Sequence, residues 1–320
     1  MDPIMPEEDG KMVKLIAGID GGGTNTRLAA ADKNGNIVFE STGGPSNLCS
    51  NSVETVEKSL AGLFHGLKET PDFICIGSAG AESQTNQERL RGILHKATGC
   101  KSENIIVTTD SAIALEAGLQ GKPGISITAG TGSVCMGRNG SGETARAGGW
   151  GHIFSDEGSA YSIGAEGMRQ VMAAYDKGED TLLLREMLKA TGEKNAMDIS
   201  ERIYAMGEYK SYVAKLAAVV GNAAQSGDSG AEKILIEAGS ALAGLCGIVH
   251  SRLSFGTDKI AVVCNGSVLI KNRIVRDAFE ASLSDINCTV RNNENPASHG
   301  ALMLAVNGAN RADIFSASGV

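Results

Sequence analysis

Two glycine-rich stretches of the sequence have the residue types of an anion-binding turn. Asp20–Thr24 reads DGGGT after an apolar strand, and Thr128–Ser133 reads TAGTGS in a similar setting. Glycine lets the backbone approach a ligand closely, and successive backbone N–H groups in a turn can form a concave anion site. Neither stretch completes the Walker or the dinucleotide-binding pattern. DGGGT alone is equally compatible with a bulged turn, but the pair favours phosphate-binding hairpins, with the predicted ligands Gly22, Gly23, Thr24, Gly130, Thr131 and Gly132.

Two aspartates, Asp20 and Asp110, each end an apolar strand. A carboxylate at Asp20 would repel phosphate unless a Mg²⁺ ion, reached through water, lies between them. Asp110 also opens a helix, so one interpretation makes it the N-cap, for which aspartate is among the best residues. The other makes it a base that orients an attacking hydroxyl, which its place at the carboxyl end of a strand favours. The residues alone leave both interpretations of Asp110 open.

The stretch GGWGHIFSDEGSAYSIG, residues 148–164, contains the only tryptophan and a pair of adjacent carboxylates. In the simpler interpretation Ser155 or Asp156 caps the following helix and Trp150 fills the core. A glycine-rich loop with one aromatic ring and neighbouring carboxylates is also typical of a sugar site, where polar groups bind hydroxyls and an apolar wall covers the ring. His152 is predicted to make a structural hydrogen bond.

A last glycine turn, Asn265-Gly266-Ser267, follows the apolar strand IAVVC and precedes a helix. Such a turn is weak support by itself. Because two phosphate hairpins lie upstream, Gly266 is predicted to form part of a nucleoside wall.

The predicted strands that position these residues repeat one hairpin pattern along the chain. The first part reads as strands MVKLIAGID, TRLAAAD and IVFE, a helix over 51–69, strand DFICIG, a helix over 86–98, strand NIIVTT and helix SAIALEAGL. After GKPG at 121–124, GISITAGTGSVCMGRNGSGETARAGG repeats the hairpin pattern of LIAGIDGGGTNTRLAAADKNGNIVFE. Helices over 158–175, 179–190, 208–226 and 229–253 follow, then strands KIAVVC and INCTV and a helix from Pro296. The pattern predicts an α/β protein with two related halves.

Composition limits the kinds of partner that the protein is expected to bind. The net charge is -8 and no cluster of Lys or Arg occurs, which argues against a nucleic-acid or anionic membrane surface. Seven cysteines with no C-x-x-C spacing fit a reducing cytoplasm. No apolar run is expected to reach transmembrane length, and the acidic opening MDPIMPEEDG lacks the regions of a signal peptide. Small molecules are the expected partners, and a homodimer is the commonest assembly for such a chain.

Over nearly its whole length the chain resembles the sugar kinase/actin/heat-shock-ATPase superfamily, and within it the BadF-type ATPase and N-acetylglucosamine kinase family. The most specific segment is TTDSAIALEAGLQGKPGISITAGTGSVCMGRNGSGETARAGGWGHIFSDEGSAY. The resemblance implies two RNase-H-like (actin-like ATPase) domains with a cleft between them. We expect them to cover residues 11–122 and 123–320, with the final helix from about 297 packing back on the first.

The resemblance also implies roles for residues. Thr24 and Thr131 would contact the phosphates of ATP, Gly266 would lie at the adenosine, and Asp110 would be the catalytic base. The residues implied to bind an amino sugar, besides Asp110, are Asn47, Gly149, Trp150, Gly151 and Asp156.

The implied activity is an ATP- and Mg²⁺-dependent kinase that phosphorylates the 6-hydroxyl of N-acetylglucosamine, N-acetylmuramic acid or both. The same family includes glucosamine kinases and ATPases that activate dehydratases through an iron–sulfur cluster. An activator needs cysteine ligands close together near the domain junction, whereas Cys135 stands alone in the second hairpin. A regulator on the same scaffold would need a DNA-binding module, and none is expected before residue 11.

Overall fold

The computed structural model describes residues 7–8, 11–12, 14–256 and 258–317, and side chains for residues 14–256 and 258–309. Most of the acidic opening segment therefore lies outside the described residues. Contacts divide the chain into two compact units, unit 1 (Met1–Gly121 with Asn293–Val320) and unit 2 (Lys122–Asn292).

Unit 1 is built on a five-stranded sheet. Its strands are β1 (Leu15–Gly21), β2 (Thr26–Asp32), β3 (Ile37–Gly43), β4 (Phe73–Ser78) and β5 (Ile105–Thr108), and the helices of the unit are α1 (Val53–Leu63), α2 (Gln84–Thr98), α3 (Asp110–Leu119) and α11 (Ala297–Ala317). The strand order is β3-β2-β1-β4-β5. The first three strands pair antiparallel, and β4 and β5 run parallel to β1. A two-stranded pairing, Glu7–Glu8 with Lys11–Met12, precedes the sheet.

Unit 2 contains a second five-stranded sheet. Its strands are β6 (Gly124–Ala129), β7 (Ser133–Arg138), β8 (Thr144–Gly148), β9 (Ile260–Asn265) and β10 (Cys288–Asn292). The strand order is β8-β7-β6-β9-β10. The first three strands again pair antiparallel, and β9 and β10 run parallel to β6. The helices are α4 (Ala160–Lys177), α5 (Leu182–Thr191), α6 (Ala196–Tyr204), α7 (Lys210–Gln225), α8 (Ser229–Arg252), α9 (Ser267–Lys271) and α10 (Arg273–Ala281).

The two sheets therefore share one topology, and the predicted α/β fold with two related halves is confirmed. The repeat read from the sequence corresponds to β1–β2–β3 and β6–β7–β8. The prediction missed helix α6 and gave a single helix after Gly266, where the structure has α9 and α10. Helix α6 was missed because its segment carries an apolar stripe only nine residues long, between polar flanks.

Helix α3 is held directly on the sheet of unit 1. Residues Ile113–Leu119 are all buried, as expected of a helix that is apolar all round. A Cβ on Gly77 of β4 would lie 2.5 Å from the Ile113 side chain, and one on Gly300 of α11 would lie 2.0 Å from the Ile113 carbonyl oxygen. Only glycine permits this close packing, which fixes the start of α3, and with it Asp110, at the end of β5.

Helix α8 is long and apolar enough to cross a membrane, with a mean hydropathy of 1.5 over its most apolar 18 residues. The expectation that no apolar run reaches that length is therefore wrong for this helix. Half of that window is buried inside the fold, however. Its packing against α10, α7 and the sheet of unit 2 is that of a core helix.

Candidate active site

The first glycine-rich stretch forms a tight turn between β1 and β2, which we call turn 1 (Gly22–Asn25). The Gly22 N–H donates to the Asn25 carbonyl oxygen at 3.1 Å. Gly23 and Thr24 are exposed, and among the described residues no protein acceptor is recorded for their N–H groups. Turn 1 therefore presents two successive backbone donors and the Thr24 hydroxyl, as an anion site requires.

A neighbouring loop holds turn 1 from behind. The Ser46 N–H donates to the Gly22 carbonyl oxygen at 3.0 Å, and the Thr26 hydroxyl donates to Ser46 Oγ at 2.9 Å. A Cβ on Gly21 would lie 2.5 Å from Ser46 Oγ, so glycine is required there. Ser46 was not predicted, and its only signal was its place in the sequence GGPSN.

Asn47 follows Ser46 and is therefore fixed beside turn 1. Its Oδ1 accepts a hydrogen bond from the Cys49 N–H at 2.8 Å. No partner within the described part of the chain is recorded for its Nδ2 group, and the residue is half-buried. An amide N–H₂ in that position can donate to a hydroxyl of a ligand.

Asp20 and Asp110 lie in one electrostatic environment in unit 1. Burial raises the pKa of Asp20 above its ordinary value, and the negative charge of Asp110 raises it further, while Arg27 lowers it. Two carboxylates that repel each other in this way bind a divalent cation favourably.

The N-cap interpretation of Asp110 is wrong. The cap of α3 is Thr109, whose side chain accepts a hydrogen bond from the Ala112 N–H at 3.3 Å. Asp110 is the first helical residue, and its Oδ1 accepts from the adjacent Ser111 N–H at 2.8 Å. Because another residue caps the helix, a capping requirement does not account for an aspartate at this position.

The second glycine-rich stretch forms turn 2 (Gly130–Gly132) between β6 and β7. The Gly130 N–H donates to the Gly132 carbonyl oxygen at 2.9 Å. The first N–H groups of α4, from Ala160 and Tyr161, donate to the Gly130 and Thr131 carbonyl oxygens at 2.9 and 3.2 Å. The turn thus satisfies donors that a helix start leaves unpaired. Among the described residues, the Thr131 and Gly132 N–H groups have no hydrogen-bond acceptor in the protein. Turn 2 therefore presents two successive backbone donors, as turn 1 does.

Asp156 is buried beside turn 2, with 3% of its surface exposed. Its Oδ1 accepts from the Ser133 N–H at 3.1 Å, and its Oδ2 accepts from Lys210 Nζ at 2.9 Å. A Cβ on Gly132 would lie 2.7 Å from Oδ1, so the carboxylate occupies the space of a side chain there.

The interpretation of Ser155 or Asp156 as a cap is wrong, because Ser159 caps α4 through the Ser162 N–H.

Gly266 packs on the backbone that leads into turn 2. Its φ is +85°, and a Cβ would lie 2.2 Å from the Ala129 carbonyl oxygen. A cavity of about 660 Å³ opens alongside, within the usual range for a small-molecule site. It is lined by residues of turn 2, α4, α7 and α9, including Thr131, Ala160, Gly221, Asn222, Ser267 and Lys271.

The loop from Gly148 to Gly158, which we call the Trp150 loop, exposes its aromatic ring. Trp150 is 70% exposed, so the interpretation that it fills the core is wrong. The Arg146 guanidinium lies 5.0 Å from the ring centroid and donates to the Gly149 carbonyl oxygen at 2.6 Å. Gly149 and Gly151 have φ of +74° and +88°, which other residues adopt with strain. An exposed indole held in this way can cover the face of a sugar.

His152 of the same loop contacts two tyrosine rings. Its ring centroid lies 4.8 Å from that of Tyr161 and 5.7 Å from that of Tyr209, and Nε2 lies 3.4 Å from the Tyr209 hydroxyl. Burial lowers the pKa of His152, and the charge of Lys210 lowers it further. This neutral, packed ring agrees with the structural hydrogen bond predicted for it.

The predicted site residues thus form two groups, one in each unit. Unit 1 brings together Asp20, Gly22, Gly23, Thr24, Asn47 and Asp110. Unit 2 brings together Gly130, Thr131, Gly132, Gly149, Trp150, Gly151, Asp156 and Gly266. Lys210 was missed because it lies 54 residues from Asp156; its only signal was a lysine at a helix start, where a positive charge is unfavourable.

Comparison with known proteins adds independent information. The model of the BadF/BadG/BcrA/BcrD ATPase family matches residues 17–305. A Clostridium acetobutylicum protein named N-acetylmuramic acid/N-acetylglucosamine kinase is 33% identical over 303 residues, which cover 92% of this chain and 98% of that protein. A Dictyostelium discoideum protein named N-acetyl-D-glucosamine kinase is 29% identical over 316 residues, with 92% and 98% covered.

A solved structure gives the same fold. The crystal structure of a Chromobacterium violaceum protein assigned as an N-acetylglucosamine kinase superposes with a TM-score of 0.74 at 24% identity, covering 92% of this chain and 99% of that one. The family match covers most of the chain, and the predicted resemblance is confirmed. The chain belongs to the BadF/BadG/BcrA/BcrD ATPase family.

Proposed function

We propose that the protein is an ATP-dependent kinase that transfers the γ-phosphoryl group to the 6-hydroxyl of an N-acetylated amino sugar. One observation carries this proposal. The two units present topologically equivalent turns, and each turn has two successive backbone N–H groups without a recorded protein acceptor in the described structure. Each turn can therefore bind a phosphate group, as a nucleotide-dependent kinase requires.

The cavity beside turn 2 supports a nucleoside site in unit 2. Its volume of about 660 Å³ suits a nucleoside, and Thr131 of turn 2 forms part of its wall. A nucleotide bound with its base in this cavity would therefore have its phosphates at turn 2. Gly266 contributes by letting the start of α9 approach Ala129, which keeps the cavity and the turn adjacent.

Asp20 is proposed to hold Mg²⁺ through water. Burial and the negative charge of Asp110 raise the pKa of its carboxyl, and Arg27 offsets this only in part, so a divalent cation would supply the positive charge that favours the ionised form. Among the described residues, no group of three or more His, Cys, Asp or Glu side chains is arranged to hold a metal ion. The remaining positions around the ion would accordingly be filled by phosphate oxygens and water. When bound, the ion neutralises charge on the phosphate oxygens during transfer.

The amino sugar is assigned to Asn47 and Asp110 of unit 1 and to the Trp150 loop of unit 2. Asn47 Nδ2 can donate to a hydroxyl or an acetyl oxygen, and the exposed indole of Trp150 supplies an apolar face. The names of two relatives, which specify N-acetylglucosamine or both N-acetylated sugars, support this substrate class.

Asp110 is proposed as the base. A carboxylate in the first turn of α3 is stabilised in its charged form by the helix dipole. It can accept a hydrogen bond from the 6-hydroxyl, orient it, and take its proton late in the transfer. Since the transfer itself needs little covalent chemistry from the protein, this orientation is the main contribution of the residue.

The alternative of a dehydratase activator is disfavoured by the cysteines. Cys135 was expected to stand alone, but its Sγ lies 3.8 Å from that of Cys246. Both thiols are completely buried in the core of unit 2. A cluster shared between two subunits needs ligands at a surface, and these two are not at one.

An assay of ADP release across three sugars tests the proposal. We expect rapid ADP release with N-acetylglucosamine or N-acetylmuramic acid together with ATP and Mg²⁺, and little release with ATP alone. Preference for glucosamine would mean that the protein is a kinase with a different substrate. Fast ATP turnover that does not depend on sugar would contradict the kinase activity and favour the dehydratase activator. The domain boundaries, the cytoplasmic location and the homodimer stay predictions.

A further inference from the structure

Helix α7 begins in a way that local rules of helix formation do not explain. Its first residue is Lys210, and its N-cap residue, Tyr209, makes no side-chain capping hydrogen bond. A positive charge at a helix N-terminus opposes the helix dipole. A local rule broken in this way indicates that another interaction determines the residue.

That interaction is the ion pair between the half-buried Lys210 and the buried Asp156. The two charged atoms, Lys210 Nζ and Asp156 Oδ2, are 2.9 Å apart, and the side chains are 32% and 4% exposed. A buried carboxylate needs such a partner, because an unpaired charge away from water is strongly unfavourable. Asp156 also has a φ of +72°, which is rare for a residue with a side chain. The pair therefore maintains a backbone conformation that the sequence alone disfavours.

The same carboxylate is attached to turn 2. Asp156 Oδ1 accepts from the Ser133 N–H at 3.1 Å, directly after the turn. It also fills the space next to the Gly132 Cα, where a Cβ would lie 2.7 Å away. Any displacement of Asp156 must consequently alter the position of turn 2, because protein interiors are close-packed.

Helix α7 reaches two further parts of the site. Tyr209, one residue before Lys210, contacts the ring of His152 in the Trp150 loop. Farther along, Gly221 and Asn222 line the cavity assigned to the nucleoside. One helix thus contacts the Trp150 loop, turn 2 through Asp156, and the nucleoside cavity, and all of these contacts lie within unit 2.

We propose that Lys210 is a positioning residue that couples sugar binding to nucleotide binding. Its ammonium group pairs with the Asp156 carboxylate and holds it in place, so that the Trp150 loop and turn 2 have one shared arrangement. A sugar that orders the loop then also orders the turn for the phosphates. The inference rests on the proposed function, since it takes the sugar and nucleotide sites from there. Coupling between two ligands is reciprocal, so it can be measured from either side.

The test is calorimetric binding of a non-hydrolysable ATP analogue, with Mg²⁺, in the presence and absence of saturating N-acetylglucosamine. In the wild type we expect the sugar to tighten analogue binding by roughly 5-fold or more, the lower end of typical coupling. Lys210→Met should reduce that factor to below about 2-fold, because Asp156 then no longer holds the Trp150 loop and turn 2 in one shared arrangement. Lys210→Arg should retain the coupling, because it keeps the charge and the donors. Lys233→Met, which removes an exposed pair with Glu237, is the matched control and should change nothing.

Three results would overturn the inference: no coupling in the wild type, full coupling in Lys210→Met, or a loss in Lys210→Arg equal to that in Lys210→Met. If Lys210→Met does not fold, as judged by its thermal unfolding, Lys210→Gln replaces it, because it keeps a donor for Asp156 but lacks the charge. An ADP-release assay on the same wild-type preparation separates the two claims. Sugar-dependent ADP release with unaltered coupling in the variant refutes only the role of Lys210, whereas its absence refutes the proposed function.

Discussion

Turn 1 and turn 2 occupy the same place in two sheets of identical topology, yet their surroundings carry charge differently. Beside turn 1, burial and the negative charge of Asp110 raise the pKa of Asp20, and Arg27 offsets this only in part. Beside turn 2, the carboxylate of Asp156 is paired with Lys210 at 2.9 Å. One turn therefore has an excess of negative charge and the other has a neutralised pair.

The difference indicates a division of labour. Excess negative charge suits the binding of a cation and the acceptance of a proton, and it is retained at a cost in stability. A neutralised pair with a buried carboxylate instead fixes the position of its neighbours. We therefore expect the residues beside turn 1 to take part in the chemistry and those beside turn 2 to hold the backbone in place, although both turns arise from one repeated fold.

The largest effect on kcat is expected for Asp110, beside turn 1. Asp110→Asn keeps the shape and a hydrogen-bond acceptor but cannot take a proton, so kcat should fall roughly 10²-fold to 10⁴-fold. Nucleotide affinity should stay near the wild-type value, because both turns are unchanged. Steady-state kinetics and analogue binding on the same variant measure the two quantities.

Thr109→Ala is the matched variant for Asp110→Asn, since it removes the actual cap of α3. It should cost about 1 kcal/mol of stability and lower Tm by a few degrees while kcat remains within a few-fold of wild type. If Asp110→Asn instead lowered Tm and left kcat nearly normal, the assignment of the base would be wrong.

The next largest effect on activity is expected for Gly132, in turn 2. Gly132→Ala places a Cβ 2.7 Å from Asp156 Oδ1, which is held by two hydrogen bonds and cannot move aside without breaking them. We expect kcat/KM to fall roughly 10²-fold, the size associated with a misplacement of about 1 Å. Stability should fall by about 1–3 kcal/mol, as for other overpacked sites.

Gly130→Ala in the same turn is the stability control, because a Cβ there has no neighbour within 4 Å. Thermal unfolding should distinguish the two variants clearly. Equal Tm values for Gly132→Ala and Gly130→Ala would mean that Asp156 does not restrain turn 2.

The smallest effect on activity is expected for Asp20→Asn, and its effect on stability should be opposite in sign. As a partner that reaches Mg²⁺ through water, Asp20 should contribute about 10-fold to 100-fold in metal affinity or activity. Because its pKa is raised in the folded state, its favourable contribution to stability is present below the ordinary value of 3.8 and is lost as the pH rises through the raised value. At neutral pH the variant should therefore have a Tm about 1–2 °C above wild type.

Differential scanning calorimetry without Mg²⁺, together with a Mg²⁺ titration of kcat, measures both effects of Asp20→Asn. A lowered Tm with unchanged Mg²⁺ dependence would show that Asp20 is an ordinary structural residue, and the contrast between the two turns would then fail.

The fold could be predicted from the sequence because its signals are local. Alternating apolar strands, two NG turns and two glycine-rich stretches at matching positions specify the hairpins β1–β2–β3 and β6–β7–β8. The glycines were predicted as places where a ligand approaches the backbone, and the structure shows a further reason for two of them, since Gly132 and Gly266 have no room for a side chain.

The contacts that hold the site could not be predicted, because they join residues far apart in the chain. Ser46 supports turn 1 from another loop, and Lys210 pairs with Asp156 across 54 residues. Cap positions were misjudged for a related reason. Asp110, Ser155 and Asp156 all look like caps by type, and only backbone geometry shows that Thr109 and Ser159 act instead.

The central claim is that a phosphoryl group is transferred to a particular oxygen of an amino sugar, and a phosphorus–proton NMR correlation spectrum of the reaction tests it most directly. With the wild-type protein, ATP, Mg²⁺ and N-acetylglucosamine, we expect one sugar phosphate formed per ADP, with its phosphorus coupled to the two protons at C6. Phosphorus coupled to the anomeric proton, or inorganic phosphate that accumulates without any sugar phosphate, would contradict it.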